Sequence, residues 1–159
     1  MSYNNADGLR VLTNADQGAA VDAGTTAVSE VKTLVIDIAD ATTIGSSAAT
    51  PTANDAFIPA NSYITGAHLL VTTAFTSGGA ATLTIGAYDS AGSAIDADGI
   101  DAAVALTAIN ATTKAVACDG ALVGGAVMTG ASDAYIKPNY GTAAFTAGAA
   151  KLVITYIET

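Results

Sequence analysis

The chain has 159 residues, enough to bury the core of one domain. Only 12% of them are charged while 51% are hydrophobic, and the formal net charge is −9, so small neutral side chains must cover much of the surface. Its five basic residues, Arg10, Lys32, Lys114, Lys137 and Lys151, form no run, which excludes a surface for free nucleic acid and disfavours an anionic membrane.

Residues 1–28 read as a polar N-terminal arm with one short strand at 9–12, and residues 29–159 as a β-sandwich domain. The opening residues lack a basic region followed by an apolar run, and no apolar stretch reaches bilayer length, so synthesis in a host cytoplasm is expected. Residues 30–38 are the first strand, with Val31, Thr33, Val35 and Asp37 on one face and Lys32, Leu34, Ile36 and Ile38 on the other. Apolar groups on both faces of its centre suggest a sheet that is also covered by a partner. Residues 40–56 read as a long Thr-, Ser- and Ala-rich loop, followed by a bend at 57–62 where Pro59 suits the edge of a strand.

A long strand at 63–73, a turn at 74–79 and a returning strand at 81–88 come next. In the last of these, Ala81, Leu83, Ile85 and Ala87 alternate with Thr82, Thr84, Gly86 and Tyr88, a half-buried strand pattern. After a turn at 89–92, residues 102–109 read as a short helix capped by Asp101, because alanine favours helix and aspartate favours the cap; Val104 and Leu106 fit a strand as well. Strands are expected at 115–118 and 122–129, then a short edge strand at 134–138 stopped by Pro138, and a terminal strand at 151–158. The fold class is therefore all-β, a jelly-roll-like sandwich of about eight strands with one short helix. Ala and Thr stand where Val or Leu would fill a core, so a homotrimer would supply the missing burial.

Chemistry-bearing residues are sparse. The single histidine, His68, is expected to be a buried or half-buried sheet residue, and Cys118 an inert thiol; a small hydrolase would need the two to converge. Asp96, Asp98 and Asp101 surround Gly99 and superficially suggest a weak Ca²⁺ site, although the spacing departs from an EF-hand and a solvated turn explains them as well. No catalytic residue and no required cofactor is assigned. Tyrosine offers contact area with a polar handle at low entropic cost, so Tyr135, Ile136, Lys137, Asn139 and Tyr140 form the candidate contact segment.

Residues 57–66 (FIPANSYITG), 71–75 (VTTAF), 81–86 (ATLTIG) and 152–157 (LVITYI) carry a family likeness. In them the chain resembles small virion structural proteins of tailed bacteriophages, especially marine ones, of the jelly-roll capsid decoration type. The resemblance implies a non-enzymatic homotrimer on the outer capsid surface of the virion. It would clamp neighbouring major capsid protein subunits, with residues 1–28 as the clamp. The same style occurs in tail or fibre components, so a surface-adhesin module that binds host glycans is the alternative.

Overall fold

The computed structural model describes residues 3–4, 10–11 and 31–159. Alternation of apolar and small polar residues sets its strands, and cross-strand pairing gathers them into two four-stranded sheets. The first sheet has the order β3-β10-β5-β8, made of Val31–Ile38 (β3), Phe145–Glu158 (β10), Ser62–Ser77 (β5) and Ala115–Ala117 (β8). The second has the order β4-β9-β6-β7, made of Phe57–Ile58 (β4), Ala134–Gly141 (β9), Thr82–Tyr88 (β6) and Ala94–Ala105 (β7). All these pairings are antiparallel. Tyr3–Asn4 (β1) and Arg10–Val11 (β2) pair separately, and the expected arm at 1–28 otherwise lies outside the described residues.

Inward side chains of both sheets form one core. Ile64, Leu69, Phe75, Leu152 and Ile154 come from the first sheet, and Ile58, Leu83, Ile85, Ile100 and Ile136 from the second. Phe75 and Phe145 meet edge to face with ring centroids 5.2 Å apart, an aromatic geometry that adds about 1 kcal/mol beyond burial. The loop at 40–56 is not purely a surface excursion, because Ala41 and Ile44 are buried in the core. Asp40 caps a one-turn 3₁₀ helix, Ala41–Thr43, by accepting from the Thr42 amide at 2.9 Å.

The architecture is the expected eight-stranded, jelly-roll-like sandwich, and four local expectations change. The helix is one turn, Leu106–Ile109 (α1), with Ala105 at its N-cap and no capping side chain; residues 102–105 extend β7 instead. Pairing of Val104 with Leu83 satisfies backbone groups that an isolated turn of alanines would leave to water. Residues 122–129 are not a strand and make only one isolated bridge, Val123 to Ile64. There Gly124 takes φ +61°, and the α-carbon of Gly125 faces the Ala121 carbonyl where a Cβ would lie 2.2 Å away. Strand β5 runs on through the turn expected at 74–79, leaving only Gly78-Gly79 to reverse the chain. Pro138 does not stop β9, which continues to Gly141. The Tyr140 amide two residues on points away from β6 to the Gly45 carbonyl, so Pro138 sits on the side of the strand where no ladder donor is needed.

Strand β7 carries the main irregularity. Ile85 lies opposite Asp101 and Ala87 opposite Asp96, so two steps along β6 face five along β7. The surplus residues form a bulge that breaks alternation and leaves Gly99, Ile100 and Asp101 buried in succession. It also brings the Ala97 carbonyl over Gly86, where an added Cβ would lie 2.2 Å from that oxygen. Gly86→Ala should therefore force the bulge outward and destabilise the fold by about 2–3 kcal/mol. Thermal unfolding followed by circular dichroism checks this, and an unchanged Tm would refute it.

Candidate functional site

Two regions gather most of the polar side chains singled out in the sequence. The first is the β7 bulge. The loop after β8 lies across it, with the Gly120 amide donating to the Ile100 carbonyl and the Leu122 amide to the Gly99 carbonyl, both at 2.9 Å. This loop sets Cys118 and Asp119 beside Asp101.

Asp101 is only 5% exposed. Burial, joined by the nearby Asp119 carboxylate, pushes its pKa up against the pull of the Ala103 amide, which donates to Oδ1 at 3.3 Å. Burial, with Asp101 adding to it, pushes the Cys118 thiol up to about 12. The thiol is thus held protonated and unreactive at neutral pH, as expected for an inert cysteine. Asp96 is raised by burial and by its hydrogen-bonded neighbour Asp98. Asp96 and Asp98 lie on the outer stretch of the bulge while Asp101 turns inward. Among the described residues, no group of three or more His, Cys, Asp or Glu side chains is placed to hold a metal ion. The segment is part of a strand rather than the solvated turn the sequence suggested.

His68 lies elsewhere. It is exposed on the outer face of the first sheet, opposite Val153 and Ala117, whereas Cys118 is buried on the inner side with its amide bonded to the Ala67 carbonyl. This corrects the expectation of a buried or half-buried histidine, and it separates the nucleophile–base pair a hydrolase would need.

The second region is β9 with the cleft beside it. Ile136 points into the core and is 4% exposed, beneath the other residues of the strand. Tyr135 is half-buried and tilts against the exposed Phe57 ring at 5.3 Å between centroids. Lys137 pairs with Asp55 at 2.6 Å. That ammonium, together with the Thr52 amide donating at 2.7 Å, holds the Asp55 carboxyl below its usual value. Asn139 lies beside the Tyr88 hydroxyl, which donates to the Ala97 carbonyl at 3.4 Å and whose pKa burial raises. Tyr140 is half-buried and packs on the core. A cleft of about 500 Å³ opens between β3 and β9, floored by Ile36, Ile38 and Ile44 and edged by Asp40, Asp55 and Lys137.

The sequence pointed to the β9 strip. It gave no sign of Asp55 or Phe57 as its partners, since those lie some eighty residues away in the chain and meet it only through the β4–β9 pairing and the loop before β4. The arrangement sets half-buried tyrosines and the Lys137–Asp55 pair around an apolar cleft. Among the residues singled out in the sequence, it aligns no base with a nucleophile.

No protein-family model matches the sequence, and no curated protein sequence matches it. Two solved structures share the fold. A chain of the cyanophage Pam1 capsid asymmetric unit aligns with a TM-score of 0.53 at 18% identity, over 92% of this chain and 98% of its own length. A chain of the Ralstonia phage GP4 capsid aligns with a TM-score of 0.51 at 16% identity, over 85% of this chain and 89% of its own.

Two outcomes check the bulge. Cys118 should resist a thiol reagent in the native protein at neutral pH and react fully after denaturation; rapid native labelling would refute its burial. A carboxyl whose pKa is raised in the folded state favours folding most below its unfolded pKa, and that contribution is lost as pH rises through the folded pKa. Asp101→Asn, which retains an acceptor for the Ala103 amide, should thus raise Tm by a few degrees at pH 7. The gain should shrink as pH falls through the folded pKa of the carboxyl, as a series of melts at stepped pH would show.

Proposed function

We propose that this chain is a non-enzymatic structural protein of a phage virion, which decorates and stabilises the capsid lattice from its outer surface. The observation that carries this reading is the alignment with the Pam1 capsid chain, which takes in nearly all of both chains, so the whole fold is shared rather than one module of it. A second phage capsid supplies a chain of the same fold. The composition supports it as well. A surface of alanine, threonine and glycine orders few flexible side chains on contact, so packing against a neighbour costs little entropy.

In this reading the protein is a homotrimer seated on the major capsid protein. The β9 strip supplies the particle-facing contacts through Tyr135, Lys137, Asn139 and Tyr140, with Phe57 beside them. Asp55 already fixes the Lys137 ammonium, so that cation is positioned before it meets a partner. Residues 1–28 serve as the clamp onto the lattice. No cation at Asp96, Asp98 or Asp101 is needed.

Particle images at subnanometre resolution, combined with mass spectrometry of gradient-purified virions, test the proposal. The expected result is trimeric density on the outer head lattice. Density at the tail axis would favour the tail or fibre reading, and absence of the protein from particles would overturn the virion assignment.

A further inference from the structure

The outer face of the first sheet exposes large apolar side chains among rows of threonines such as Thr33 and Thr155. Cross-strand pairing aligns its side chains in rows. Val35, Val153, His68 and Ala117 form one row across all four strands. Asp37, Lys151, Leu70 and Ala115 form the next, and Val31, Ile157 and Tyr63 close the far end. Val31 is 61% exposed, Val35 52% and Leu70 40%, so these side chains project outward and are not buried by their own sheet. An antiparallel sheet with a wet outer face ordinarily alternates apolar and polar residues; β3 and β10 carry apolar groups on both sides.

We propose that sister copies of this chain pack against this face, which forms the subunit interface of the oligomer. The inference rests on the reading that the protein acts as an oligomer and assigns the surface responsible. Charge identifies the occupant. The chain as a whole is strongly acidic, yet this face balances its charges: Lys151 pairs with Asp37 at 3.4 Å. A second copy can therefore approach here without meeting like charge, whereas Asp96 and Asp98 lie on the other sheet. A basic partner would find no excess of carboxylates to bind on this face. Size agrees as well. The four strands hold 8, 14, 16 and 3 residues; at about 3.3 Å per residue and about 4.8 Å between strands they present about 650 Å² per copy, or about 1,300 Å² across a pair, within the range of a specific interface.

Sedimentation velocity of the full chain across a micromolar concentration series tests this, comparing the parent with Val35→Asp and Leu70→Arg. Each substitution places an unpaired charge where a sister copy would cover it, and should raise the concentration for half-association roughly tenfold or more. Val127→Asp, at a 51% exposed apolar residue in the loop after β8, should leave association unchanged. Circular dichroism melts establish that each variant is folded, and the two interface variants sit on different strands with opposite charges, so a folding defect in one leaves the other as the test. Association unchanged in both, or a parent that stays monomeric throughout, overturns the inference and leaves this face to residues 1–30 or to a capsid partner. A monomer still found on virions would remove this interface while leaving the decoration reading intact.

Discussion

The antiparallel ladder between β5 and β10 organises the molecule. It runs from Ser77 opposite Phe145 to Ser62 opposite Glu158, and both neighbours in the sheet, β3 and β8, are aligned by it. Side chains alternate with a period of two, so fixing this register decides for every residue of four strands whether it faces the core or the outside. Leu69, Leu152 and Ile154 go in, while His68, Lys151 and Val153 go out. At one end, Gly148 adopts φ +144° with its α-carbon close against the Phe75 ring, where a Cβ would lie 2.6 Å away. That close approach lets Phe75 meet Phe145 and seal the core.

The second sheet solves a different problem. Its β7 bulge buries a carboxyl, an arrangement that costs stability unless the group is hydrogen-bonded or neutralised. Here the Ala103 amide donates to the carboxyl, and the loop carrying Cys118 and Asp119 is tied across the bulge by backbone bonds to Gly99 and Ile100. The glycines at 99 and 120 fit because a Cβ on either would meet its neighbour at under 3 Å. The polar residues that looked most like a site are, in the fold, a clasp between a strand and a loop.

The uneven legibility of the sequence has physical causes. Strands β3, β6 and the second half of β10 were plain, because each is a short bounded run rich in Val, Ile, Leu, Thr and Tyr. His68 was misjudged because β5 contains an irregularity near Thr65-Gly66. Ile64 points inward, and beyond it Ala67, Leu69 and Val71 do, so the inward parity switches from even to odd numbers and His68 turns out to solvent. Residues 122–129 looked like a strand because Leu122, Val123, Val127 and Met128 are apolar, but the backbone at Gly124 and Gly125 needs turns. On β9 the tyrosines were visible, while the inward aim of Ile136 and the Asp55 partner of Lys137 were not.

By itself, the sequence determined the material: an acidic, charge-poor chain of small residues whose period-two patterns commit it to strands and to a layered β fold. Those are local properties, set by neighbouring side chains along one segment. Which strands lie side by side, where the bulges fall, and hence that His68 and Cys118 face opposite sides of one sheet were decided only by tertiary structure. Pairing partners are distant in sequence, and a single extra residue in one strand reverses the facing of everything beyond it.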